Sequence, residues 1–170
     1  MTITLSSFIG IYDRALATCA HLLAKGSAFA TENGVDEADF LNWRLVEDMH
    51  PLSFQAAVVV NFSRSYMARA AGQDLPANVI GADLDLAGLQ AAITDARAYL
   101  AAIPADALAG RDDVMEMVQI TDTMTPTLPI EQWVSNFALT NIEFHTSIAY
   151  AILRLNGVPL GKIDMFPAGL

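Results

Sequence analysis

Disulfide chemistry is excluded first, because the chain carries a single cysteine, Cys19, and one thiol cannot form an intrachain bridge. Basic residues are scarce, nine Lys and Arg against nineteen Asp and Glu, for a net charge of −10. Such a surface repels phosphate backbones and anionic lipid heads, so the charge argues against nucleic-acid and membrane partners. Long apolar runs are missing too: 54% of the residues are hydrophobic, yet none of the runs approaches the ~18 residues of a membrane span. The start, Met1-Thr2-Ile3-Thr4-Leu5, lacks the basic head and apolar core of a signal peptide, so the expected location is cytoplasmic. Also missing are a Gly-rich phosphate loop, Cys-x-x-Cys, His-Glu-x-x-His and Gly-x-Ser-x-Gly, which removes the usual signatures of nucleotide, zinc and serine-hydrolase chemistry.

What remains is amphipathic helix. At 170 residues the chain suits one domain, 1–170, able to bury roughly 70% of its unfolded surface. Phe8, Ile11, Tyr12, Ala15, Cys19, Leu22, Gly26 and Phe29 recur at spacings of three and four, which predicts a first helix over about 3–31. His21 falls on its opposite side with Asp13 and Lys25 and is expected to be solvated. After the turn at Asn33-Gly34, a short helical turn is expected between Glu37 and Arg44. A second helix begins near Pro51, with inward Leu52, Gln55, Ala56, Val59, Phe62, Ser63, Tyr66, Met67 and Ala70, and ends at Gly72. Asp85 is the N-cap of a third helix carrying Leu86, Leu89, Ile93 and Leu100.

Val114 to Ile120 alternates with period two, and Asp122-Thr123 provides a turn before Pro126, so a small hairpin or extended lid is expected there. The fourth helix starts near Pro129 or Ile130. Its stripe reads Trp133, Val134, Phe137, Asn141, Phe144, Ile148, Ile152 and Leu155, with Gly157 as a left-handed C-cap. The tail beyond Leu160 is apolar enough (Ile163, Met165, Phe166) that it should dock. Four such stripes bury most simply against one another, which gives an all-α, antiparallel-type four-helix bundle with a hairpin between helices three and four.

Polar residues within these stripes are the candidate site. Asn141 sits near the centre of the fourth stripe, His145 one turn later at its edge, and Gln55 interrupts the second stripe. Buried polar groups cost free energy unless paired, so these three either bond to one another as structural groups or form the floor of a small-molecule pocket. Asp48 and His50, just ahead of the second helix, would form its rim. The Glu143-Phe144-His145 spacing points its carboxylate and imidazole ~200° apart, which does not suit a di-iron site. With His21 outward, His50 and His145 alone do not make a metal centre. No metal and no cofactor are therefore expected.

Two segments resemble a known family. Asn42-Trp43-Arg44-Leu45-Val46-Glu47-Asp48-Met49-His50-Pro51-Leu52-Ser53-Phe54-Gln55 is similar to the Arg-Leu…Asp-Met…Pro-Leu…Gln segment of a family of uncharacterised bacterial proteins. That family lies within the DinB/YfiT-like superfamily, whose members are regarded as metalloenzymes. The likeness continues in Phe144-His145, Ala149-Tyr150, Ile152-Leu153-Arg154 and Gly157-Val158-Pro159-Leu160-Gly161-Lys162. The resemblance implies a four-helix bundle with a crossing connection between helices two and three, often dimeric. It also implies a metal held by one helix-two histidine and a His-x-x-x-His pair on helix four. Here His145 can stand for one ligand, but Asn141 and Ala149 flank it at four residues, and Gln55 stands at the helix-two position. An amide binds divalent transition metals far less well than imidazole.

Three functions are expected as alternatives. The first is a small-molecule pocket of Gln55, Asn141 and His145 rimmed by Asp48 and His50, without the three-histidine metal. The second is a metal-dependent transferase or hydrolase of the superfamily type. The third is a homodimeric interaction protein whose polar core residues fix helix register. A homodimer is expected in any case, from the high apolar content and the methionines Met115, Met117 and Met124 of the insertion.

Overall fold

A computed structural model describes residues 3–169. The helices are α1 (Leu5–Glu32), α2 (Glu37–Leu41), α3 (Leu52–Ala71), α4 (Leu86–Ala102), α5 (Ile130–Gln132) and α6 (Leu139–Leu155). A π-helical turn, Trp133–Ala138, joins α5 to α6 into one continuous rod. Strands β1 (Met115–Met117) and β2 (Thr127–Pro129) form an antiparallel hairpin between α4 and α5, with Glu116 opposite Leu128. Its tip is the bridge between Thr121 and Met124, which encloses the expected turn at Asp122-Thr123.

The bundle consists of α1, α3, α4 and the α5–α6 rod. Local chemistry sets its ends. Asp85 caps α4 by accepting the Gly88 N–H at 2.7 Å. Gly72 closes α3 with φ +65°, a left-handed conformation that L side chains resist. Gly157 closes α6 in the same way, and Val158 N–H reaches back to the Leu153 carbonyl at 3.0 Å. Inside, α1 buries Phe8, Tyr12, Leu16, Cys19, Leu22 and Leu23. Cys19 is fully buried, and burial pushes its thiol up to about 12, so it is an unreactive packing residue. Gly26 is required by close approach: a Cβ there would lie 2.5 Å from Leu153 and 2.9 Å from Phe40.

Helix directions follow from pairs along the seams. Asp13 pairs with Arg97, and Gln90 donates to the Ala20 carbonyl, so α1 and α4 are antiparallel. Gln55 meets His145 while Tyr66 meets Trp133 and Phe137, so α3 and α6 are antiparallel. Tyr12 meets Val134 and Gly26 meets Leu153, so α1 and α6 run parallel. These directions make α3 and α4 parallel as well, and the bundle is not uniformly antiparallel as the stripes alone suggested. The cause is the linker 72–85, which at ~3.3 Å per residue can return along the ~30 Å length of α3. Arg64 holds that linker by donating to the Ala77 carbonyl at 2.9 Å. This is the crossing connection that the resemblance implies.

The fourth stripe needs a correction. Beyond Phe137 the buried residues are Ala138, Ile142, Thr146, Ala149, Ile152 and Leu153, while Phe144 is 52% and Leu155 63% exposed. Ile152 is buried as expected and Ile148 packs partly against the core, but Asn141, Phe144 and Leu155 are displaced outward, because the π turn inserts an extra residue and rotates the helix after it by ~100°. Such a turn loosens the helical hydrogen-bond ladder, and the buried Tyr12 hydroxyl donates to the Val134 carbonyl there at 2.8 Å. Burial raises the Tyr12 phenol far above its ordinary range, so it remains a donor.

The tail docks, though not through Ile163 and Phe166, which are exposed; Leu160 and Asp164 are its buried residues. Residue 170, also assigned to the docked tail, lies outside the described residues. Among the described residues no helix is long and apolar enough to cross a membrane.

Candidate functional site

Gln55 is the centre of the site. It lies in the first turns of α3 and is only 2% exposed, so both ends of its amide need partners. The Nε2 amide nitrogen donates to the His50 carbonyl at 2.8 Å, and Oε1 lies 2.6 Å from His145 Nδ1. The His50 carbonyl can only accept, which fixes the orientation of the amide. Gln55 Oε1 must therefore accept from His145, and the imidazole carries its proton on Nδ1. Its Nε2 is left with a lone pair. Among the described residues that nitrogen has no hydrogen-bond partner, nor is it among the buried polar atoms cut off from water.

Aromatic rings enclose the imidazole. Phe54 meets it edge-on with centroids 6.0 Å apart, and Phe144 does so at 5.1 Å. His50 stacks on Phe54 at 3.8 Å. Burial, and secondarily the charge that His50 can carry, lower His145 to about 4. At neutral pH the ring is uncharged and a weak base. Its Nε2 is suited to accepting a hydrogen bond more than to abstracting a proton, since general bases work best with a pKa near the operating pH.

The candidate residues do not all converge. Gln55 and His145 are directly bonded, as the structural reading of His145 required. Asn141 is half-buried and donates to the Phe137 carbonyl of its own helix at 2.7 Å, without touching the pair. The π turn accounts for this, having moved Asn141 off the centre of the seam. His50 reaches the cluster through its carbonyl and its stacked ring, while Asp48 is exposed in the loop ahead of α3. Clefts of about 520, 470, 290 and 240 Å³ among the described residues take no wall from Gln55, Asn141 or His145.

The residues do not fit a three-histidine metal centre. Ala149 is buried and offers no donor atom. Asn141 could offer only its amide oxygen, a weak ligand for divalent transition metals, and Gln55 commits its oxygen to His145. His145 Nε2 and the exposed His50 ring are the imidazoles nearby, and among the described residues no three His, Cys, Asp or Glu side chains are grouped to hold a metal ion.

The expectation for His21 is corrected. The ring is half-buried, with Nε2 2.8 Å from Asp164, whose carboxylate also receives Lys25 Nζ at 2.9 Å and the Gly161 N–H at 2.7 Å. The Gly161 bond first, then His21 and Lys25, hold Asp164 well below the usual carboxylate range. A returning tail covers this face of α1, and nothing in the α1 stripe could announce it. Asp164 was missed for that reason; its one local signal was Gly161, three residues earlier.

Comparison with known proteins agrees with this architecture. A family described as Domain of unknown function (DUF1993) matches residues 6–166. A crystal structure of a DinB family member protein from Shewanella denitrificans superposes with a TM-score of 0.84 at 26% identity, covering 95% of this chain and 91% of that one. No functionally curated protein matches.

Proposed function

We propose that this chain, which belongs to the DUF1993 family of DinB-like bundles, binds a small polar molecule at His145 and works without the three-histidine metal of the superfamily. The observation that carries the reading is the hydrogen-bond chain from the His50 carbonyl through Gln55 to His145 Nδ1. It fixes the Nδ1–H tautomer and leaves the Nε2 lone pair unpaired on a ring that Phe54 and Phe144 flank. The complementary ligand offers a hydroxyl, amine or amide donor to that nitrogen and an apolar edge to the rings. Solvent access at Nε2 favours this over the purely structural reading, which would use both ring nitrogens or bury them.

The test is chemical denaturation of His145→Ala beside Asn141→Ala, with a thermal-shift screen of small polar donors on the wild type. Water can replace the imidazole at Gln55 Oε1 if the site is open, so His145→Ala should cost less than ~1 kcal/mol and abolish every stabilising hit. Asn141→Ala should retain the hits. A His145→Ala loss above ~2 kcal/mol, with no ligand stabilising the wild type, would identify His145 as structural glue.

We also propose a homodimer. Phe144, Ile148, Ala151 and Leu155 make an apolar stripe on the outer face of α6, and Met115, Met117 and Met124 add exposed apolar surface on the hairpin. Phe144→Glu should convert the sedimenting species from dimer to monomer. Wild type sedimenting as a monomer at high micromolar concentration is the opposing result.

A further inference from the structure

A second cleft lies away from His145 and encloses about 520 Å³, within the usual range for small-molecule sites. Its long walls are the parallel helices α1 and α6, and the docked tail from Met165 to Gly169 forms the third side. Thr18 and Thr146 are buried at its floor. Their hydroxyl hydrogens are already committed: Thr18 Oγ1 is 3.0 Å from the Arg14 carbonyl and 3.1 Å from that of Met165, and Thr146 donates to Ile142 at 2.8 Å. Toward a ligand, both oxygens can therefore only accept.

Opposite charges border the cleft from its two helical walls. Arg14 lies one turn before Thr18, and Glu143 one turn before Thr146. The two helices run parallel, and both the guanidinium-bearing Arg14 on α1 and the carboxylate-bearing Glu143 on α6 border the cleft. Both residues are exposed, and neither enters an ion pair among the described residues. Ile11, Ala15 and Met165 supply apolar lining. The tail wall is held in place by Asp164 with His21 and Lys25, and by the Thr18 contact to the Met165 carbonyl.

We infer that this cleft binds a small zwitterion with an apolar body, of the class of the apolar α-amino acids. Arg14 takes the carboxylate; Glu143 and the threonine oxygens take the ammonium; the apolar lining takes the side chain. A simple anion would meet Glu143 and a simple amine would meet Arg14, so a molecule carrying both charges satisfies the cleft best. The site is independent of His145, which faces α3 from the other side of α6.

The experiment is isothermal titration of the full chain with L-methionine and L-leucine, beside methionine amide and N-acetylmethionine. The free amino acids should bind, and each blocked form should bind at least about tenfold more weakly. Arg14→Gln should erase the preference for methionine over its amide, and Glu143→Gln the preference over its N-acetyl form. Asp164→Asn should weaken binding by loosening the wall, while His145→Ala should leave it unchanged. Arg14 and Glu143 are exposed, so both variants should fold, with circular dichroism as the check. Absence of binding by the free amino acids would overturn the inference, as would equal binding of the blocked forms or unchanged discrimination in the two rim variants.

Discussion

Replacing Trp133 by Ala is expected to lower the unfolding free energy by about 4 kcal/mol, a large fraction of the stability of a domain this size. The indole is fully buried, packed edge-on against Phe137 at 5.4 Å and tilted against Tyr66 at 6.1 Å. Its Nε1–H also donates to the Glu116 carbonyl in β1 at 2.9 Å, so one side chain ties the hairpin to the bundle at the start of the π turn. Truncation leaves a cavity and removes that tie together. Arg69 reinforces the junction by pairing with the Glu116 side chain. Guanidinium denaturation followed at 222 nm (the helical signal) measures the loss. A loss below ~1 kcal/mol would mean that the hairpin and the rod are not packed as described.

This junction also separates what the sequence made legible from what it did not. Features written into a few neighbouring residues were readable: the cap at Asp85, the left-handed glycines 72 and 157, and the two-residue alternation of the hairpin. The bundle was readable because four stripes must bury against something. The π turn was not, because it leaves residue types unchanged and alters only the register of the helix beyond it. A stripe extrapolated at constant pitch put Asn141, Phe144 and Leu155 inside, when their C-terminal neighbours or near neighbours are the buried ones. The parallel α3–α4 pair depends on a linker whose path no periodicity encodes. Gln55 and His145 could be singled out because a polar residue in an apolar stripe is conspicuous. Asp164 beside His21 could not, since that contact joins positions far apart in the chain through a tail with no regular pattern.

The second large effect is on pH dependence. His145 is lowered from 6.5 to about 4 in the folded protein, so between those values the unfolded chain binds the proton more readily than the native one. Stability contributed by the neutral ring is complete above ~6.5 and is lost as the pH falls toward ~4. Allowing for partial solvent screening of a half-buried ring, the loss is on the order of 2 kcal/mol. Urea denaturation across this window should show wild type losing more stability than His145→Ala, so that the variant becomes the more stable of the two at acid pH. Parallel curves would show that the ring titrates alike in the folded and unfolded chains. The Asp164 cluster acts in a lower window, since its carboxylate is held below the ordinary range and its contribution erodes only as the unfolded carboxylates protonate.

Both the ligand-binding reading and this pH dependence rest on one microscopic state, a neutral imidazole protonated at Nδ1 with Nε2 free. Nitrogen-15 NMR of the imidazole ring of His145, recorded as the pH is lowered from neutrality, observes that state directly. The chemistry of Gln55 and the His50 carbonyl predicts an Nδ1–H tautomer with an unprotonated Nε2, persisting until the ring titrates near 4. An Nε2–H tautomer at neutral pH, or ordinary titration near 6.5, would contradict the account.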